Sequence, residues 1–343
     1  MKRILLFTLA LLMILPLFAA CNEAEPPANE SNSITPVAAL DLTAEWNKYF
    51  TPDSLVQGCV VVRKAFAEEH PAVVAKFLEE YGAALNFTIS NPADASVMIA
   101  DAGIFAQAAV AQKAIPKCNL CFITGAQMKT SLSAFLSAMP IASIGGKLPS
   151  DDFYYQAPAG AADVSADSTL SVRVWTLNGT TGFGMAPLIE SKKSGDTALN
   201  YTFTVETNAA NVQSALINGT ADIAALPTNA ASALYNKTNG EILVLALNTR
   251  GVLYLVANTA KVSAPTSLAD LAGKKVYCPA QNPSFIAKTL FEKAGVAVEL
   301  DSATYAAPAD LQAAVAQGLV DYAVLPEPMV TIAQASAASN TAK

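Results

Sequence analysis

The chain has 343 residues, 52% hydrophobic and 14% charged, with a formal net charge of −7 and a single histidine, His70. That acidic balance argues against a nucleic acid or an anionic membrane surface as partner. One histidine leaves no set from which a histidine-based metal site or catalytic triad is built.

Lys2 and Arg3 form a positive start, and Ile4–Phe18 is an apolar run broken by Thr8 and Pro16. Ala19 and Ala20 then precede Cys21. The pattern is that of a secretory signal, too short to read as a spanning helix. With Cys21 directly after two small residues it resembles a lipoprotein signal over residues 1–21, although Phe18 stands where that pattern prefers Leu. The resemblance implies lipid attachment at Cys21 and an extracytoplasmic protein anchored to a bacterial cell membrane. Residues 22–36 are polar and Pro-rich, so they bury too little surface to fold and are expected to form a disordered tether. What remains is about 300 residues, enough for two lobes.

Cys59, Cys118, Cys121 and Cys278 follow. Cys118-Asn-Leu-Cys121 has redox or zinc-knuckle spacing, but no second pair or histidine accompanies it, and no metal or cofactor is expected. Export permits disulfides, so a bridge between Cys118 and Cys121 or between Cys59 and Cys278 stays open beside free buried thiols.

An internal repeat organises the second half. Val212–Pro227 and Leu311–Pro326 align without a gap, matching Gly219 to Gly318, Asp222 to Asp321 and Leu226-Pro227 to Leu325-Pro326. Each copy reads as a helix stopped by Gly, then a short apolar strand ended by Pro. Upstream, the strand Ser171–Trp175, the polar loop Asn178–Gly182 and the helix Phe183–Ser191 match a strand around Val276, the loop Pro279–Pro283 and a helix Ser284–Lys293. Strands alternating with helices predict an α/β fold, with mostly parallel sheets and helices on both faces. Ligands bind beyond the carboxyl ends of such strands, and both polar loops sit there and open helices.

The candidate ligand residues are therefore Asn178, Gly179, Thr180, Thr181, Gly182, Thr228, Asn229, Gln281, Asn282 and Ser284, which supply neutral donors and acceptors and close backbone approach, with Glu327 facing a ligand amine. Arg250 reads either as an anion partner or as a solvated rim residue. Trp46 and Phe183 read as core ahead of stacking platforms.

Trp175–Ile189, Gly219–Ala231, Thr266–Val276, Gly318–Pro328 and Val60–Pro71 together resemble the ABC-transporter solute-binding proteins of the nitrate/sulfonate/taurine type, over nearly all of residues 37–343. The resemblance implies the two-lobed type II periplasmic-binding-protein fold. It also implies a monomeric, non-enzymatic receptor that takes a small polar or anionic solute to an importer permease. The alternative is an exported or permuted enzyme on the same fold, such as a pyrimidine-precursor transferase or synthase. The segments stand in a rotated order: the family's opening strand, at Ser171, follows its usual closing segment, Gly145–Tyr155. The chain is accordingly expected to be circularly permuted, with 156–169 linking the usual termini. Residues 57–257 then form lobe one, and 37–56 with 258–343 form lobe two. Crossovers are expected near Gly58–Val60 and Val256–Asn258, with Val37–Trp46 supplying the strand that the second copy lacks.

Overall fold

The computed structural model describes residues 34–163 and 165–341, so the leader, Cys21 and the tether up to Ser33 lie outside the described residues. Strands are numbered in chain order: β1 Pro36–Asp41, β2 Val56–Arg63, β3 Leu120–Ile123, β4 Ser171–Leu177, β5 Asn200–Glu206, β6 Ile223–Pro227, β7 Ile242–Arg250, β8 Leu253–Asn258, β9 Lys275–Tyr277, β10 Glu299–Asp301 and β11 Tyr322–Pro326. They form two mixed sheets with helices, one ordered β5-β4-β6-β2-β7-β3 and one ordered β10-β9-β11-β8-β1. The protein is thus α/β.

The two sheets share one plan. β5, β4 and β6 run parallel, β2 runs against β6, and β7 against β2. In the other sheet β10, β9 and β11 run parallel, β8 runs against β11, and β1 against β8. β3 is an addition to the first sheet, pairing antiparallel with β7. Central strands of such sheets are covered on both faces, which is why β2 and β7 are almost continuous buried runs, VQGCVVV and ILVLALNT.

The repeat's punctuation has a conformational cause. Gly219 and Gly318 adopt φ of 76° and 67°, the left-handed geometry that ends a helix without a Cβ penalty. Pro227 and Pro326 close β6 and β11. The helix expected over Phe183–Ser191 is instead two pieces, Thr180–Phe183 and Ala186–Ser194. A Cβ on Gly184, between the pieces, would collide with the side chain of Leu85, so the chain passes closer there than a larger residue allows. Its counterpart is one helix, Asn282–Ala294, with Pro283 in the first turn, where a missing N–H costs nothing.

Two crossings join the sheets. One is the helix Leu42–Tyr49 between β1 and β2, capped by Asp41 accepting from Thr43 N at 2.8 Å. The other is Gly251-Val252 between β7 and β8. Gly251 is confined: a Cβ there would strike Thr43 Oγ1 and lie 2.6 Å from Leu55, while its carbonyl accepts from Thr43 Oγ1 at 3.1 Å and Asn119 Nδ2 at 2.6 Å. The second crossing therefore lies at Gly251-Val252 rather than at Val256–Asn258, and β8, expected with residues 57–257, joins the other sheet. The reason is register: Leu253–Asn258 pairs along its whole length with β11 on one side and β1 on the other. The first crossing likewise precedes Val56.

The last residues of the expected tether are ordered by the same pairing. Pro36 opens β1, Thr35 N donates to Asn258 Oδ1 at 3.2 Å, and Thr259 N donates to Thr35 O at 2.9 Å. Of the described residues in 156–169, Ala161 is buried and Ala166 half-buried, and the rest are exposed. One apolar cluster runs from Val61, Met128 and Phe135 through Leu42, Trp46 and Leu55 to Val276, Ile286 and Leu290, so the first crossing is core for both sheets. No helix among the described residues is long and apolar enough to cross a membrane.

Candidate functional site

Strand direction decides where the loops fall. β4 and β6 are parallel neighbours, so Asn178–Gly182 and Thr228-Asn229 leave the same edge of their sheet. β9 and β11 are parallel neighbours in the other, so Gln281–Ser284 and Glu327 share an edge there. β2 begins and β7 ends at the first edge, and β8 begins at the second. Both crossings therefore run between these two edges, and each sheet turns its loop-bearing edge toward the junction.

The helix-start loops of the two halves are alike in backbone. Gly179 has φ 84° and ψ −163°, and Gln281, its counterpart in the repeat, has φ 64° and ψ −129°; each caps the helix that follows. A glycine adopts that geometry freely, whereas a glutamine holds it at a cost of about 1–3 kcal/mol. Under the first loop, Asn248 Nδ2 donates to Thr181 O at 3.0 Å, and Gly179 N and Asn178 N donate to Ile104 O and Glu206 O at 3.1 and 2.8 Å.

Several expected ligand groups are engaged within the fold. The buried Thr228 Oγ1 donates to Val56 O at 2.7 Å, and Ser284 Oγ donates to Gln281 O at 2.9 Å. Glu327 is 2% exposed; its carboxylate accepts from Thr331 N and Oγ1 at 3.1 and 3.0 Å and lies 3.8 Å from Lys117 Nζ. Burial pushes this carboxyl above the usual range, against the Thr331 bonds and Lys117. It therefore starts the last helix and pairs across the junction, where a ligand amine had been expected to sit. Arg250 pairs with Asp53 at 2.7 Å, and Trp46 is fully buried, stacked on Phe50 at 3.9 Å with Nε1 donating to Ser54 Oγ at 2.9 Å. Phe183 is also buried.

Two expected residues keep unanswered acceptors. Asn229 Oδ1 and Asn282 Oδ1 are buried without a hydrogen-bond partner, one on each sheet's edge. An unpaired buried polar atom costs about 1–3 kcal/mol, which a donor from a bound molecule relieves. Asn178 is exposed, and Gly179, Thr180 and Thr181 are half-buried. Ser284 lines a cavity of about 590 Å³ with Phe285, Lys288 and Pro140. Among the described residues no hydrogen bond or ion pair joins Asn178–Gly182 to Gln281–Ser284.

The cysteines contribute no bridge: Cys59, Cys118, Cys121 and Cys278 are all free. Burial pushes all four thiols up, Cys121 to about 12, which leaves them protonated at neutral pH. Residues not singled out from the sequence complete the junction. Gln57 Oε1 accepts from Val252 N at 2.7 Å, and Tyr254 Oη donates to Lys117 O at 2.8 Å. The signal available for Gln57 and Asn248 was a polar residue inside an otherwise apolar strand. Lys117 and Tyr254 carried none, because their pairing spans distant parts of the chain. No protein-family model, curated protein or solved structure matches this chain.

Proposed function

We propose that the protein is the extracytoplasmic solute-binding lipoprotein of an ABC importer, of the type II periplasmic-binding-protein fold in circularly permuted form, holding a small polar solute between two lobes. The observation that carries this reading is the shared strand plan. Two sheets of the same order turn their carboxyl-terminal strand edges toward each other across two crossings. Polar loops stand at those edges in matched positions. On this reading the lobes are the two sheets with their helices, β1 completes the second lobe in the manner of β7 in the first, and 156–169 joins the family's usual ends.

The ligand chemistry follows from the groups at the edges. Asn229 Oδ1 and Asn282 Oδ1 seek donors. The solute is therefore a small molecule carrying N–H or O–H groups, held mostly by neutral hydrogen bonds of about 1 kcal/mol each. Closure of the lobes would exclude water from it.

The test is a thermal-shift screen of the purified protein against taurine, bicarbonate and pyrimidine precursors, which carry N–H or O–H groups, with nitrate and simple sulfonates as donor-free comparisons, followed by calorimetry on any hit. A ligand that binds only the folded state raises the midpoint in proportion to RT ln(1 + [L]/Kd). Asn229→Ala and Asn282→Ala are each expected to weaken the hit at least tenfold while leaving the ligand-free midpoint unchanged or raised. A hit that both variants bind as the wild type does would refute the site.

A further inference from the structure

The opposite edge of the six-stranded sheet holds a group of charges that the proposed solute site does not use. Asp222, at the start of β6, is buried with its side chain 1% exposed. It carries two guanidiniums: Arg63 Nη2 donates to Oδ1 at 2.8 Å, Arg173 Nε donates to Oδ2 at 2.8 Å, and Arg173 Nη2 also donates to Oδ1. The backbone N–H of Arg173 adds a bond to Oδ2 at 3.0 Å, and Arg63 Nε donates to Ala221 O at 3.1 Å. These contacts hold the carboxyl of Asp222 below the usual range against its own burial.

The internal repeat supplies a control. Arg63 N donates to Asp222 O at 3.0 Å, and in the second half Asn258 N donates to Asp321 O at 2.9 Å. The backbone junction thus recurs, with Asn258 in place of Arg63, Lys275 in place of Arg173 and Asp321 in place of Asp222. Asp321 is exposed and forms no ion pair among the described residues, while Lys275 pairs with Glu299 and Asp301. The strand plan is built once without any guanidinium, so the Arg pair is not a requirement of the architecture.

Both guanidiniums open on a cavity of about 470 Å³, lined also by His70, Ser171, Phe66 and Glu69. Their side chains are 26% and 41% exposed, and in each the Nη1 group has no partner among the described residues. Two positive charges share one buried negative charge, and both forks are fixed before a ligand arrives. Guanidiniums match the spacing of oxyanion oxygens, and prior orientation lowers the entropy lost on binding.

We propose that Arg63 and Arg173, oriented by Asp222, form a binding site for a phosphate-bearing anion at the edge of the sheet remote from the solute loops. The phosphate belongs either to a free anion or to a single anionic lipid headgroup, which the two guanidiniums would engage locally against the chain's net charge of −7.

The purified protein is titrated with inorganic phosphate by calorimetry and by NMR of the arginine Nε–H groups. It is titrated separately with vesicles of phosphatidylglycerol and of phosphatidylcholine. Saturable binding is expected for inorganic phosphate, which identifies a free anion, or for phosphatidylglycerol alone, which identifies a headgroup. Arg63→Gln and Arg173→Gln are each expected to raise Kd at least tenfold, and Lys275→Gln, at the counterpart position, to leave it within twofold. If a variant does not fold, the wild-type signals of Arg63 and Arg173 decide, since both must shift as phosphate or phosphatidylglycerol is added. No saturable binding of either probe, unmoved arginine signals, or equal loss in Lys275→Gln would overturn the proposal.

Discussion

Gln281 occupies a backbone conformation that its repeat partner fills with Gly179, and exchanging the two residue types isolates the cost. In Gln281→Gly the side chain lost is exposed and makes no hydrogen bond among the described residues, so its removal forfeits little. Relief of φ 64°, ψ −129° returns about 1–3 kcal/mol, and the greater freedom of glycine in the unfolded chain takes back about 0.5–1 kcal/mol. The expected net is a stabilisation of about 0–2.5 kcal/mol. In Gly179→Ala a Cβ meets nothing within 4 Å, so the cost is conformational and not steric, about 1–3 kcal/mol of destabilisation at φ 84°. Urea denaturation of both variants and the wild type, with the slope checked for constancy, reads the two values directly. A Gln281→Gly protein less stable than the wild type, or a Gly179→Ala protein as stable, would refute the equivalence of the two loops.

Three further outcomes follow from the packing. Trp46→Ala removes a fully buried indole from the cluster shared by both sheets and is expected to cost about 3–5 kcal/mol by denaturant midpoint; a loss below about 1 kcal/mol would show that the first crossing is not core. Gly58→Ala would drive a Cβ into Asn248 Oδ1 and to 3.0 Å from Thr249, so it is expected to destabilise by about 1–3 kcal/mol and to disturb the Asn248 bond to Thr181; an unchanged midpoint would contradict this. Glu327 has a folded pKa raised by burial, so the native state binds more protons than the unfolded state between the ordinary carboxyl value of 4.5 and the raised one. Its contribution to stability therefore falls as pH rises through that window, and Glu327→Gln is expected to gain on the wild type from pH 4 toward neutrality, by about 1.4 kcal/mol for each tenfold by which folding weakens the acid. A difference independent of pH, or of opposite slope, would contradict the assignment.

The repeat was legible in the sequence because its markers are local and chemical. Gly219 and Gly318 end helices through a left-handed φ that any chain must satisfy, and Pro227 and Pro326 end strands because they lack a donor. Alternating helices and strands likewise followed from periodicity, as did the loops Asn178–Gly182 and Gln281–Ser284 after their strands. The core reading of Trp46 was available from its place in an apolar run. Pairing was not available in this way. Leu253–Asn258 is apolar enough to extend β7 or to enter either sheet, and only its register with β11 and β1 assigns it. The same pairing orders Thr35 and Pro36, whose composition reads as tether. Polar residues were the hardest to place: Glu327 and Thr228 look like ligand groups in sequence, yet their partners, Thr331, Lys117 and Val56, turn them toward the fold. A side chain's type is written in the chain, but whether its neighbours engage it or leave it open depends on which distant backbone and charges the tertiary structure brings within about 3 Å of it.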